Sequence, residues 1–304
     1  MKQILKLTAC LLSGLLATAP AIAREPGTPP DMPPGATMGV PVGVNFPVPG
    51  FYLSSRTAAV RGTVHDANGN ATGPDLNVNA TALQLHWTPG MELLGGTYRA
   101  MGIVALQNLD LSLNGIGLGA NTSISDLSIS PLNIHWMVEP GIFTSAGLSF
   151  GLPTGEFYTN GTPNGGDGAA SVALDAGFSY LRDGWNLSLH GNYFINAENS
   201  TTKYRSGDEL LLNWTGMKAV GASGWSLGTV GYWRKQVTDD RNKGAFYGGT
   251  TAGRARETGI GLAVAKRVGG TEIYVDYTWN TSAKNIVGAD MLRFNVTFPL
   301  GGKK

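Results

Sequence analysis

Cysteine is nearly absent from this chain of 304 residues, which contains only one. That residue, Cys10, lies in a stretch with the form of a secretory signal: two lysines, an apolar run over residues 7–19, and small residues at 21–23. We expect cleavage before Arg24, so the mature chain would have no cysteine, which excludes disulfides and thiolate chemistry. The residues before Cys10 also resemble a lipoprotein box, but the apolar run follows that cysteine instead of preceding it.

Charge and long hydrophobic runs are scarce as well. Charged residues make up 14% of the chain and the net charge is +1, so no nucleic-acid partner is indicated. After residue 23 no apolar run reaches the roughly 18 residues that a transmembrane helix needs. A membrane-spanning form of this chain would therefore have to cross with strands.

Catalytic and metal-binding patterns are missing too. The histidines fall on different segments without a metal-ligand spacing, and neither a nucleophile elbow nor a nucleotide-binding glycine loop is present. We therefore expect no metal, no cofactor and no enzymatic activity. The histidines are His65, His86, His135 and His190.

Glycine, in contrast, is abundant, with 44 residues, and much of the chain alternates between apolar and polar side chains. Alternation with period 2 places one set of side chains on each face of a strand. Between Trp225 and Trp233 the apolar face carries a tryptophan at each end, roughly 26 Å apart along the strand. This spacing is typical of a membrane β-barrel with two aromatic girdles, although a soluble sandwich could bury the same face.

Twelve strand candidates follow residue 49, and the connections between them alternate between long and short. Outer-membrane barrels combine an even strand number with short periplasmic turns and long external loops. The sequence therefore predicts an all-β fold: a transmembrane, antiparallel, up-and-down barrel of about 12 strands over residues 50–304, with both termini in the periplasm. A change of phase at Pro131 is interpreted as a bulge. The candidates lie near 50–60, 77–87, 97–107, 124–137, 141–152, 169–181, 185–196, 207–216, 224–237, 254–266, 271–280 and 289–298, and the long connections near 61–76, 108–123, 153–168, 197–206, 238–253 and 281–288.

Residues 24–49 contain eight prolines. Proline lacks the backbone donor that a central strand needs, so this segment is not expected inside a sheet. We interpret it as a periplasmic tether in preference to a plug inside the barrel, and the plug stays open because the second half is more apolar than a plain linker.

The face of the strands predicted to line the lumen carries charges of both signs, which argues against a strong anion or cation filter. Two interpretations are open. These side chains form a paired network that fills a narrow barrel, or some of them line a path for small aromatic solutes. They are Arg99, Asp175, His190, Glu209, Arg234, Gln236, Glu257, Glu272, Asp276 and Arg293.

The stretch 196–240, with Thr202 to Asp208 and Gln236 to Asp240 as its clearest pieces, resembles the family named for the meta-pathway of phenol degradation. Shorter matches include Leu152 to Gly155, while Ser125 departs from the glycine that the family often shows. The resemblance implies an outer-membrane barrel of a Gram-negative bacterium, with outer-membrane lipid and small hydrophobic or aromatic solutes as its partners. No catalytic residues come with it. The family-pattern positions are Tyr204, Arg205, Asp208, Tyr232 and Gln236.

We therefore expect a passive outer-membrane channel for small aromatic or hydrophobic compounds, linked by resemblance to aromatic catabolism. Two alternatives stay open: a structural or surface-interaction barrel with a closed lumen, and a barrel lipid hydrolase. The hydrolase would need its serine and histidine on the outer face, whereas His86 and His190 are predicted to point into the lumen.

Overall fold

The structure, a computed structural model, describes residues 23–160, 162–251 and 253–300. The predicted signal up to residue 22, with Cys10, lies outside this part of the chain. No helix in the described part is long and apolar enough to cross a membrane. Its one helical element is a single 3₁₀ turn, Phe246–Gly249.

Twelve antiparallel strands form one closed barrel, as the sequence predicts. Each barrel strand pairs with its neighbours in chain order, and pairing of β1 with β16 and of β2 with β4 closes the ring. Three two-residue strands and β5 lie outside the ring. The strands are β1 (Gly50–His65), β2 (Ala71–Thr88), β3 (Glu92–Leu93), β4 (Gly96–Leu113), β5 (Ile116–Ile124), β6 (Leu127–Glu139), β7 (Ile142–Leu152), β8 (Ser171–Tyr180), β9 (Trp185–Asn196), β10 (Tyr204–Arg205), β11 (Glu209–Ala219), β12 (Trp225–Gln236), β13 (Arg241–Asn242), β14 (Arg256–Val268), β15 (Thr271–Lys284) and β16 (Ile286–Leu300).

Three of the predicted long loops are strands instead. Residues 61–76, 108–123 and 281–288 continue β1, β2, β4, β15 and β16 or form β5, and their turns are tight. In the first turn the Asp66 carboxylate accepts the backbone N–H groups of Asn68 and Asn70, at 2.9 and 2.8 Å. The hydropathy pattern missed these extensions because outward side chains there, such as Arg61 and Asp75, are polar, as expected where strands project beyond a bilayer.

The outer surface is apolar, with aromatic side chains towards the ends of the strands. Trp225 is 47% exposed, and Trp233 points to the same side of β12 at its other end. The ammonium groups of Lys218 and Lys266 lie 4.9 and 5.0 Å from the rings of Trp185 and Trp225. Lysine beside tryptophan is typical of the boundary between bilayer and water, where a long side chain carries its charge to the headgroups.

The predicted bulge at Pro131 is confirmed. The register between β6 and β7 shifts between Ile129 and Leu132, so the inward positions change from even to odd numbers across the proline. This shift turns Asn133 and His135 into the lumen, where both are buried.

Candidate functional site

The proline-rich residues 24–49, here called the lumen segment, run inside the barrel from one end to the other. At the end with the long connections (the long-loop end), the Arg24 N–H donates to the Asp240 carboxylate at 3.0 Å. At the opposite end (the short-turn end), the side-chain amide of Asn45 donates to the Tyr98 carbonyl at 3.1 Å. The segment therefore contacts the barrel at both of its ends.

Three glycines spaced four residues apart fix the path of the segment. The N–H groups of Gly35, Gly39 and Gly43 donate to the side chains of Asn213, Thr215 and Ser179, at 2.7, 2.9 and 3.0 Å. At the middle glycine φ is +82°, and an added Cβ would overlap the Tyr274 ring. A glycine is required at this position because a side chain fits neither the backbone angle nor the space.

Carbonyl groups of the segment are bound in the same way. The guanidinium of Arg56 donates to the Ala36 carbonyl at 2.6 Å, and that of Arg293 to the Pro34 carbonyl at 2.9 Å. Further along the segment, the Ser145 hydroxyl donates to the Val42 carbonyl at 3.0 Å. A chain without sheet partners leaves buried backbone groups that must find hydrogen bonds elsewhere. The polar inner wall supplies those bonds, which explains why so many polar side chains point inward.

One part of the inner wall is apolar, and the segment covers it with Met38. This side chain is 1% exposed and belongs to one buried apolar cluster with inward-facing residues of strands β11, β12, β14, β15 and β16. The residues of this apolar wall are Met217, Val230, Tyr232, Ala263, Tyr274 and Met291.

At the long-loop end a buried charge cluster holds the start of the segment. The Arg24 guanidinium donates to Asp31 at 2.8 Å, to Asp167 at 2.8 Å and to Glu209 at 3.0 Å. Glu209 also accepts from Arg234, at 2.8 Å. The side chains of Arg24 and Glu209 are 5% and 3% exposed, so the ion pair between them is shielded from water.

Carboxylates outnumber guanidinium groups in this cluster, and the pKa of Asp167 reflects it. Burial raises the pKa of Asp167 well above its usual value; Arg24 opposes the rise, and Asp31, Asp126 and Glu209 add to it. Its Oδ1 atom makes no hydrogen bond within the described chain. For Asp31, burial alone would raise the pKa, but Arg24 and hydrogen bonds lower it.

Two of the family-pattern positions, Tyr204 and Gln236, bind the carboxylate that accepts from Arg24. The carboxylate of Asp240 accepts the Arg24 backbone N–H at 3.0 Å, the Tyr204 hydroxyl at 2.6 Å and the Gln236 amide at 2.7 Å. Arg205 pairs with Asp208 at 2.8 Å and so stiffens the loop that carries this site. The block 196–240 therefore has a physical role that its sequence did not reveal: it binds the beginning of the lumen segment.

At the short-turn end the segment ends on an aromatic contact. The Phe46 ring stacks on Tyr52 with centroids 3.9 Å apart and planes 9° apart, and it meets the edge of His86 at 5.0 Å. The Arg99 guanidinium lies 5.8 Å from the same ring. Asn45 completes the contact with hydrogen bonds to Thr97 and Thr88, at 3.2 and 3.3 Å.

The polar residues predicted to line the lumen do point inward, yet they bind each other or the segment. His190 lies 3.7 Å from Asp175 and 3.2 Å from the Thr37 hydroxyl of the segment. Asp276 pairs with Arg293, at 2.6 Å, and Arg234 with Glu257, at 3.2 Å. Glu272 pairs with Arg267 near the short-turn end.

Sequence reasoning missed Arg24, Met38, Phe46, Asp167 and Asp240. All five lie in the lumen segment or a loop, where no alternation assigns a side chain to a face. Nowhere in the described part do three histidine or acidic side chains gather as metal ligands would.

Comparison with known proteins agrees with this architecture. The family model for the MetA-pathway of phenol degradation matches residues 60–296. The chain belongs to this family. A comparison with curated protein sequences finds no match.

Solved structures share the barrel at low sequence identity. An outer membrane channel from Pseudomonas putida F1 superposes with a TM-score of 0.74 at 16% identity, over 84% of this chain and 97% of that one. The β-domain of the Bordetella autotransporter BrkA gives 0.50 at 14% identity, over 83% and 100%. The translocator domain of NalP from Neisseria meningitidis gives 0.50 at 11% identity, over 85% and 91%. At these identities the likeness shows the fold alone.

Proposed function

We propose that this protein is an outer-membrane channel for the passive uptake of small aromatic or hydrophobic compounds, and that the lumen segment opens and closes it. One observation carries the proposal: the lumen contains an apolar wall, and the part of the chain that covers it is a separate segment rather than a barrel strand. Removing Met38 from that wall would expose a lining suited to apolar solutes without breaking a strand pairing.

The bonding of the segment suits movement. Barrel strands are joined by continuous ladders of backbone hydrogen bonds, whereas the segment is held by side chains and by its own short turns. Elements with few backbone partners open at lower free energy than the strands around them. Solute would then follow its concentration gradient, kept steep by consumption inside the cell.

The orientation is part of the same proposal. Both ends of the barrel sequence would lie in the periplasm and the long loops outside, following the usual pattern of short periplasmic turns. Residues 1–23 would serve as the export signal and be removed.

Uptake by intact cells tests the channel. We expect cells that carry the protein in the outer membrane to take up labelled benzyl alcohol faster than cells without it, with no gain for labelled arabinose. Met38→Ala should increase the gain because it uncovers the apolar wall, whereas Leu227→Ala on the lipid-facing side should leave it unchanged. Equal uptake with and without the protein would refute the proposal.

The occupied lumen also supports a second candidate, a barrel that acts through its outer loops. Deleting those loops would not separate the two, because they contribute Asp167 and Asp240 to the binding of Arg24. Substitution of exposed loop residues away from Arg24, such as Tyr158→Ala, is the cleaner test. Loss of a cell-surface phenotype with unchanged uptake would favour the second candidate.

A further inference from the structure

The pocket around Phe46 is built for an aromatic ring. The Phe46 ring lies nearly parallel to Tyr52 at stacking distance, with the imidazole of His86 at its edge. Tyr52 and His86 are 8% and 5% exposed and belong to the barrel, on β1 and β2. Only Phe46 belongs to the segment. If the segment moves, Tyr52 and His86 stay in place as part of the barrel, whereas the Phe46 ring leaves the pocket.

Nitrogen atoms at this end of the lumen are buried without hydrogen-bond partners. Within the described chain they include Nε of Arg99, Nδ1 of His86, Nε2 of His135 and Nδ2 of Asn133. Arg99 and Asn133 are direct neighbours across β4 and β6, and Thr97 lies opposite His135 in the same ladder. Buried polar atoms are normally satisfied, and one left without a partner is destabilising. Two of these nitrogens, Nε of Arg99 and Nδ2 of Asn133, are donors in every protonation state and lack an acceptor.

Charge points to the same conclusion. Neither Arg99 nor Arg56 forms an ion pair among the described residues, although both guanidinium groups face the lumen at this end. The Asp175 carboxylate acts on Arg99 only from beyond ion-pair distance and lies 3.7 Å from His190. A guanidinium presents paired donors that match a carboxylate. The site thus combines an aromatic stacking surface with an unpaired cation beside it.

We infer that this pocket is a binding site for a single-ring aromatic carboxylate and that Phe46 occupies it until the solute arrives. The solute ring takes the place of Phe46 on Tyr52, and its carboxylate accepts from Arg99 and the side-chain amide of Asn133. The inference rests on the proposed function, because solute must reach the lumen, and it narrows the solute class to aromatic anions.

Equilibrium binding to the refolded full chain tests the inference without requiring transport. Benzoate is titrated calorimetrically into the wild-type protein, Phe46→Ala and the double variant Phe46→Ala/Arg99→Gln. We expect Phe46→Ala to bind benzoate at least tenfold more tightly than the wild type, since the competing ring is gone. The double variant should lose at least tenfold of that affinity. The matched control Phe46→Ala/Arg61→Gln removes an arginine from the outer surface of β1 and should bind like Phe46→Ala.

Benzyl alcohol separates ring recognition from anion recognition. It should bind Phe46→Ala more weakly than benzoate does, and Arg99→Gln should not change its affinity. Equal affinity for the two compounds, or no binding of benzoate to Phe46→Ala, would overturn the inference. The comparison of benzoate with benzyl alcohol needs only Phe46→Ala, so it tests the inference even if the double variant fails to fold. The proposed function would survive that result if cells still gained benzyl alcohol uptake.

Discussion

The two ends of the lumen segment are held in different ways. At the long-loop end, the Arg24 guanidinium binds three carboxylates and its backbone N–H donates to a fourth, and the Arg24 side chain itself is 5% exposed. At the short-turn end, Phe46 rests on a stacked ring and Asn45 makes a few hydrogen bonds, while neighbouring nitrogens lack partners. Breaking a buried ion pair leaves an uncompensated charge, whereas losing a stacked ring does not.

This difference indicates which end moves. The long-loop end acts as an anchor, and the short-turn end releases first because its contacts cost less to break. A channel built this way would open from the short-turn end while the start of the segment stays bound to the 196–240 block. Substitutions along the segment test whether the short-turn end is released before the long-loop end.

Removing the anchor should have the largest effect. Arg24→Gln leaves Asp31, Asp167 and Glu209 without their shared cation, and we expect docking of the segment to weaken by about 3–5 kcal/mol. Conductance in a planar bilayer should then show long-lived open steps. The control is Arg254→Gln, which breaks an exposed ion pair with Asp239 at the same end and should cost about 0–1 kcal/mol. Similar behaviour of both variants would contradict the anchor.

Met38 lies between the two ends of the segment, and its substitution should have the second largest effect. Met38→Ala removes a fully buried side chain from the apolar wall and should weaken docking by about 2–4 kcal/mol. We expect more open time than in the wild type and less than in Arg24→Gln. A closed-channel record identical to that of the wild type would show that the apolar wall does not hold the segment.

Releasing the short-turn end should have a smaller effect. Phe46→Ala loses one aromatic stack and should weaken docking by about 1–2 kcal/mol, giving frequent but brief openings because Arg24 stays anchored. Phe51→Ala is a matched control, since Phe51 stacks on Trp87 at the same end but on the exposed outer surface. Long-lived openings in Phe46→Ala would reverse the proposed order of release.

Acidification should have the smallest effect, and its sign is specific. Burial raises the pKa of Asp167 and that of Glu25, so both carboxyls favour the docked state as pH falls through their raised pKa values towards the ordinary ones. Asp31 has a lowered pKa, so its contribution is lost only as pH falls below its usual value of 3.8. Between pH 7 and about 5 we therefore expect open probability to stay level or fall. A steady rise over that range would show that the ionised form of Asp167 holds the anchor.

Strand number, order and the Pro131 bulge could be predicted because strands alternate where one face meets lipid and the other the lumen. The extensions of β1, β2, β4, β15 and β16 could not, because beyond the bilayer no apolar face marks them. The path of residues 24–49 could not be predicted from the sequence either. Its glycines donate to side chains of β8 and β11, and no local sequence pattern indicates such contacts.

The polar inner wall could be listed from sequence but not interpreted. Arg293, His190 and Glu209 read as candidates for a solute path, whereas the structure shows them bound to the lumen segment or to each other. The apolar wall, which carries the proposed function, was hidden because Met217, Val230 and Met291 stand at positions where a polar residue was expected.

Conductance of the refolded protein with and without residues 24–49 tests the central claim most directly. Heat-modifiable mobility on a gel would first establish that both forms have a folded barrel. We predict that the full chain stays closed for most of the record and that the shortened chain shows persistent discrete open steps. Equal steps from both forms would show that the segment does not close the barrel, and silence from both would show that the barrel holds no ion path.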